Sequence, residues 1–282
     1  MKIIKNFDLK KILNLNIGGK ALFYAKVQNL PELEEILRWR KTKGVNLKIL
    51  GKGTNILMQE GLFEELFLQI NIDYIFPQDQ ILRVGAGTHL NRLIKFCVKN
   101  KLKGLETLWG IPASVGGAIV KNASTKWGEI SERLSNIKVL DLKGKKFTIP
   151  KKMIPFSYRY SGIKDLVIYE AEFKLEKTKE SLDEKIKNFF EYRRSTQPLE
   201  YKNSGCVFKN SLEFSAGELI ENVGLKGYSI GKVSVSLKHA NFFIVKEGAR
   251  FSDFYNLMEF VKNKVKEKTG IELEPDLVIW KI

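Results

Sequence analysis

The sequence predicts an α+β fold in two domains, and three observations carry that reading. At 282 residues the chain exceeds the roughly 250 residues beyond which single cores stop growing. Helical stripes and short β-branched runs are mixed irregularly along it. Near residue 176 the composition turns polar, as Glu176-Lys177-Thr178-Lys179-Glu180-Ser181, which sets the expected boundary between a domain over 1–176 and a smaller one over 177–282.

The elements follow in order. Ala21 to Val27 is a β-branched and aromatic run that reads as a strand. A helix follows Asn29, with a capping amide, an early Pro31, acids in its first turn and apolar Leu33, Ile36 and Leu37 on one face. Leu47 to Leu50, Glu65 to Ile70 and Ile81 to Val84 read as strands. A second helix from Thr88 stacks Leu90, Leu93, Ile94, Cys97 and Val98, with Gly104 as its stop. Strands over Ile137 to Leu140 and Leu166 to Leu175 complete the first domain. In the second, Leu182, Ile186, Phe189 and Phe190 mark a helix. The last helix runs from Ser252 through Phe254, Leu257, Met258, Val261 and Val265 to Gly270.

Composition removes several classes. Apolar residues make up 44% and charged residues 28%, the balance of a globular domain. No run approaches the roughly 20 apolar residues of a membrane span, and the first residues do not form a secretory signal, so a cytoplasmic chain is expected. Cys97 and Cys206 lie far apart, without Cys or His at metal-ligand spacing, which excludes a disulfide scaffold and a zinc fold. The net charge of +16 invites a nucleic-acid reading, but only nine of the 48 basic residues are Arg and the Lys are scattered. The positive field favours small phosphorylated or carboxylated ligands equally well.

Three glycine-bearing loops follow strand-like runs. Gly51-Lys52-Gly53-Thr54-Asn55 offers backbone N–H groups, a hydroxyl and an amide, which suits a phosphate or a plain tight turn. It is neither a Rossmann nor a Walker loop. Gly85-Ala86-Gly87-Thr88 joins a strand to the helix after it. Gly110-Ile111-Pro112-Ala113-Ser114-Val115-Gly116-Gly117-Ala118-Ile119-Val120-Lys121-Asn122-Ala123 is too rich in small residues to build a strong helix or strand alone. It fits either a backbone against a flat or phosphorylated ligand or a buried tight corner. In Ser204-Gly205-Cys206-Val207-Phe208-Lys209-Asn210 polar neighbours favour an accessible thiol over a small buried hydrophobe. Arg159, between Tyr158 and Tyr160, fits a carboxylate clamp or a surface cation–π stack. His89 lies at a helix start and reads as structural; His239 lies in a turn before an apolar run.

Taken in order, these motifs resemble the UDP-N-acetylenolpyruvoylglucosamine reductase (UDP-N-acetylmuramate dehydrogenase) family over nearly the whole chain. The family's pattern is met at Gly51 to Asn55, Gly110 to Ala123, Tyr158 to Ser161, Arg193 to Pro198 and Gly205 to Asn210, and as a variant at Leu273-Glu274-Pro275-Asp276. The resemblance implies an FAD-binding domain of the vanillyl-alcohol-oxidase type and a smaller C-terminal α/β domain for substrate. FAD would be lined by Gly51, Gly53, Thr54, Asn55, Ile111, Pro112, Ser114, Val115, Gly116, Gly117, Ala118 and Asn122. Tyr158, Asn210 and His239 would face substrate.

The implied reaction uses NADPH as hydride source and FAD as carrier to reduce an enolpyruvyl UDP-sugar, a step of peptidoglycan precursor synthesis. Arg159 would stabilise the developing enolate. Asp276 would lie beside it, and Cys206 would donate the proton. Many relatives carry Ser at position 206, and a thiol with an ordinary pKa near 8.5 keeps the role. At 276 the family usually has Glu, and the shorter Asp moves a carboxylate by about 1 Å. Glu274 matches the family's preceding acid. Lys232 stands where small residues are usual. In length the chain resembles the family's shorter class, which implies no inserted loop carrying a substrate Tyr. Expected partners are the UDP-sugar and NADPH, with no metal, nucleic acid or membrane, in a monomer. Two other readings are a different oxidase on the same flavin scaffold and a colourless nucleic-acid-binding protein, which an absorption spectrum separates from the flavoproteins.

Overall fold

The computed structural model describes residues 2–78 and 81–282. The chain forms two compact units, each drawn from separated stretches. One takes residues up to Phe7 with Ala21–Lys52 and Glu64–Phe190, and the other takes Asp8–Lys20, Gly53–Phe63 and Glu191–Ile282. The last exchange thus falls at Phe190, where the composition marks a boundary after 176. The stretches 8–20 and 53–63 carry no compositional mark, because pairing with distant chain, not local pattern, assigns them.

In the first unit, α1 (Leu30–Lys43) is capped as its sequence requires. Asn29 accepts from the Glu32 N–H, Pro31 sits in the first turn and Gly44 ends the helix at φ +66°. It buries Leu33, Ile36 and Leu37. Helix α2 (Leu90–Lys99) begins two residues after the expected Thr88, because the imidazole of His89 rather than Thr88 accepts the capping N–H from Asn91. It ends at Asn100, well before Gly104.

The strands form a four-stranded sheet, in the order 3–8, 20–27, 62–70 and 47–50, and a five-stranded sheet, in the order 146–150, 134–141, 166–174, 81–85 and 75–78. The latter is antiparallel throughout, with Val139 opposite Ile168 and Ala171 opposite Val84. Both sheets contribute to one core with the two helices, including Ala25, Leu68, Val84, Val139 and Phe173. Against this core lies α3 (Val115–Val120), a six-residue helix inside the small-residue segment that propensity alone does not favour. Two local bonds make it possible: the Ser114 hydroxyl accepts from Gly117 N–H, and Gly116 N–H donates to Ala86 O at 2.8 Å. A Cβ on Gly116 would stand 3.0 Å from the Ala86 methyl, so the glycine sets this approach.

Helix α4 (Leu182–Thr196) leads into the second unit. There α5 (Ala216–Asn222) and α6 (Phe251–Thr269) pack with a three-stranded sheet of 229–230, 233–235 and 243–245. Gly270 closes α6 at φ +74°. Ile56–Met58 pairs in parallel with Val278–Trp280, which ties the 53–63 stretch to the end of the chain. Leu15, Ile17 and Leu57 enter the same core as Phe243, Phe254 and Leu257.

Candidate functional site

In the first unit two glycine motifs meet on one hydroxyl. A Cβ built on Gly51 would lie 2.5 Å from Ser114 Oγ, and one on Gly117 would lie 3.2 Å from the same atom. Gly51 and Gly117 therefore present backbone without side chains beside Ser114, which is itself buried. Ile111 and Pro112 precede this turn on the less buried side. Val115 and Ala118 put their side chains into the core, so only their backbone groups remain for a ligand. Gly87 answers to packing: its Cβ would be 2.5 Å from the Asn71 backbone.

The segment continues into Asn122, which takes a left-handed conformation at φ 43°. Its amide nitrogen donates to Ser157 O at 3.0 Å, and its Oδ1 is buried with no hydrogen-bond partner. Ser157 and Tyr160 exchange both backbone hydrogen bonds at 3.0 Å, which makes Tyr158-Arg159 the corner of a two-residue turn. Arg159 stands at φ 56°, a conformation costing about 1–2 kcal/mol for a side chain with a Cβ. Its guanidinium lies over the Tyr158 ring at 5.5 Å and donates from Nη1 to Ser124 O at 3.3 Å. Ser161, fully enclosed, donates to Val120 O at 2.8 Å. The arginine turn is thus tied to the far end of the segment whose near end holds Ser114.

The second unit gathers the other set. Residues 206–209 form a strand-like segment held on both sides. Val207 N–H donates to Asn241 O, and the buried Asn241 side chain bonds Phe208 at both its N–H and its carbonyl, at 2.9 and 2.8 Å. On the other side Asp276 N–H donates to Val207 O at 2.8 Å, and Lys209 N–H donates to Glu274 O. Asn55 donates from Nδ2 to Asp276 O at 2.9 Å, so the loop residue and the acid are joined across 221 positions. The two acids differ in setting. Glu274 is exposed and ion-paired with Lys209, whereas Asp276 is buried beside the segment that carries Cys206. Cys206 is partly accessible and pairs in a bridge with Phe242. The neighbouring Ser204 hydroxyl is buried with no hydrogen-bond partner.

The remaining residues are engaged within the fold. Gly53 sits at φ +67° with its absent Cβ 2.6 Å from Ile12 O, so close approach of residues 12–14 explains it; Thr54 is partly exposed beside it. Asn210 Oδ1 accepts the Ala216 N–H at the start of α5. His239 packs its ring on Gly217 and Phe242 and accepts the Asn241 N–H at Nδ1. Burial, with Lys226 nearby, lowers its pKa. Asn241 carries no signal in the sequence for its part in ordering the Cys206 segment. Among the described residues no group of His, Cys, Asp and Glu is placed to hold a metal, and no helix is long and apolar enough to cross a membrane.

The polar inventory fits a bound dinucleotide. Two glycines from separate loops converge on a hydroxyl, and Asn122 offers an acceptor that the protein leaves unsatisfied.

Comparison with known proteins gives concordant results. A family model described as "FAD binding domain" matches residues 21–149, and one described as "UDP-N-acetylenolpyruvoylglucosamine reductase, C-terminal domain" matches 197–280. The UDP-N-acetylenolpyruvoylglucosamine reductase of Fervidobacterium nodosum is 36% identical over 98% of this chain and 91% of its own length. That of Thermotoga maritima is 37% identical over 95% of both chains. The crystal structure of the Thermus caldophilus reductase superposes with a TM-score of 0.84 at 29% identity, covering 99% of this chain and 98% of that one. The α+β architecture, an FAD-binding domain followed by a C-terminal domain of this type, agrees with both family models.

Proposed function

The chain belongs to the UDP-N-acetylenolpyruvoylglucosamine reductase family, an FAD oxidoreductase family of peptidoglycan precursor synthesis, and from that membership we propose that it reduces the enolpyruvyl ether of UDP-N-acetylglucosamine to UDP-N-acetylmuramate at the expense of NADPH. The reaction is expected in the cytoplasm, where both small molecules are available.

FAD, when bound, supplies the two-electron hydride chemistry that no side chain can perform. Loops 51–55 and 111–118 with Asn122 would hold it. The chain's own residues then have three tasks. Arg159 supplies fixed positive charge for the substrate carboxylate, on which negative charge grows as hydride reaches the adjacent double bond. Its turn, pinned by Asn122 and Ser161, keeps that charge from having to reorganise during reaction. Cys206 donates the proton that completes the saturated carbon. A thiol is a stronger acid than a serine hydroxyl and so releases that proton more readily. Asp276 acts beside Cys206 as the buried acid of the site. Tyr158, Asn210 and His239 belong to the substrate side, His239 with its ring held neutral by burial.

The observation that carries the reading is the pairing of the Cys206 segment with Asp276 through the Asp276 N–H and Val207 carbonyl. It supports a common role for two motif residues 70 positions apart. Anaerobic stopped-flow absorbance tests it. NADPH should bleach the flavin band, and the enolpyruvyl UDP-sugar should restore it. A flavin that NADPH reduces but that only oxygen reoxidises would overturn the proposal.

A further inference from the structure

The last turn of α4 is fixed against the Cys206 segment by bonds that no part of the mechanism above uses. Arg193 Nε donates to Gln197 Oε1 at 3.0 Å, while Gln197 N–H donates back to Arg193 O at 2.8 Å. This reciprocal pair holds the guanidinium at the helix end. Asn203 then bridges that end to the residue before the thiol: its Nδ2 donates to Pro198 O at 3.1 Å, and its Oδ1 accepts the Gly205 N–H at 2.9 Å. On the other flank, Lys238 Nζ donates to Arg194 O at 2.6 Å from the turn that leads into Phe242, the bridge partner of Cys206. The helix end is therefore tied to Cys206 from both sides. Burial lowers the pKa of Arg193, and its charge interaction with Cys206 acts in the opposite sense.

We propose that Arg193 is a positioning residue for Cys206, whose guanidinium supplies the fixed positive charge against which the sulfur gives up its proton. In the transfer the S–H bond breaks, a C–H bond forms at the substrate, and the negative charge left on sulfur faces Arg193 until solvent returns a proton. The functional part of this inference rests on Cys206 as proton donor; the charge pairing does not. The other charged or titratable groups on the elements around Cys206 are Glu191, Tyr192 and Arg194 on the same helix, Glu200, Tyr201 and Lys202 in the loop that follows it, Lys238 and His239 before Phe242, Asp276 alongside, and the Lys209–Glu274 pair, in which each charge answers the other.

The two cysteines make the test clean. Cys97 is buried and its thiol is pushed up to about 12 by burial, so alkylation between pH 6 and 10 reports Cys206. The rate of iodoacetamide modification of Cys206, read by peptide mass spectrometry on the purified flavoprotein, should titrate below the free-thiol value of about 8.5. In Arg193→Gln the midpoint should rise by about one pH unit. The rate at pH 7 should then fall roughly three- to four-fold, since the more basic thiolate is also the better nucleophile. Arg193→Lys should restore most of the profile. Gln197→Ala, which releases the guanidinium without removing it, should move it in the same direction by less.

Superimposable profiles for the wild-type protein and folded Arg193→Gln would overturn the proposal. If that variant does not fold, coincidence of wild type with Gln197→Ala would do so. A shifted profile in a protein whose Cys206→Ala variant turns over at full rate would refute the donor role and leave the pairing intact.

Discussion

Gly51 and Ser114 should be energetically coupled, with a sign that only their contact explains. Gly51 has no left-handed φ, so alanine is compatible with its backbone, and the obstacle to a methyl is a single atom, Ser114 Oγ at 2.5 Å. The next nearest atoms, Ser114 Cβ and Gly117 Cα, lie at 3.7 and 3.8 Å, ordinary contact distances. In Gly51→Ala the hydroxyl must turn away and lose its cap on Gly117, a loss of about 1 kcal/mol. Reduced freedom of the unfolded chain returns about 0.5 kcal/mol, so the net cost is about 0.5 kcal/mol. Ser114→Ala alone removes the cap and costs about 1 kcal/mol. In the double variant the cap is already gone and the methyl meets no oxygen, so the total remains about 0.5 kcal/mol. The interaction energy is then about −1 kcal/mol, outside the 0.3–0.5 kcal/mol scatter of independent sites. Urea unfolding of the four proteins measures it, and FAD dissociation constants should follow the same non-additive order. Strict additivity would refute convergence of the two loops on Ser114.

Gly53, two residues along, should behave differently: its φ of +67° and a Cβ position 2.6 Å from Ile12 O make Gly53→Ala cost about 2 kcal/mol or more, and Ser114→Ala should not rescue it in thermal unfolding. Cys206→Ala should leave flavin reduction by NADPH near normal while slowing the substrate half-reaction about a hundred-fold or more, and Cys206→Ser should retain substantial turnover; equal loss in both half-reactions speaks against the donor role. Glu170, buried on the strand 166–174, takes hydrogen bonds from Arg83, Lys138 and Tyr74. Burial alone would raise its pKa, but these donors hold it below the ordinary carboxylate value. Its contribution is therefore present above the unfolded value near 4.3 and lost as pH falls through the lower folded one. Glu170→Gln should cost about 2 kcal/mol at pH 7, because Arg83 and Lys138 are partly exposed and can turn to water. The difference from wild type should shrink below about pH 4 in urea midpoints; a pH-independent difference would show that the charge does not matter.

The readable parts of the fold were those written in local pattern. Asn29, Pro31 and Gly44 define α1 without help from packing, and Gly270 ends α6. The strand runs at 47–50, 81–85 and 166–174 stand where β-branched residues cluster. What could not be read depends on distant partners. Nothing near Ile56 reveals that it pairs with Val278, and α3 exists only because Ser114 and Ala86 satisfy a glycine-rich turn. Helix α2 starts two residues past Thr88 because a histidine, a weak capping type, supplies the acceptor. In the site, the motifs were legible as motifs, but their bonds were not. Asn55 reads as a ligand contact, yet its amide nitrogen donates to the Asp276 carbonyl, and His239 reads as a turn residue on the substrate side, with nothing in the sequence to show that its ring packs on Gly217.

The parallel pairing of Ile56–Met58 with Val278–Trp280 has a consequence for synthesis on the ribosome. At 5–20 residues per second, roughly 10–45 s separate the emergence of the two strands. Until then Leu15, Ile17 and Leu57 have no complete core to enter, and the nascent chain carries an unpaired apolar strand. Loss of the final five residues would take Val278–Trp280 away and leave that strand permanently open, so truncation at the tail should appear first as aggregation of the newly made polypeptide.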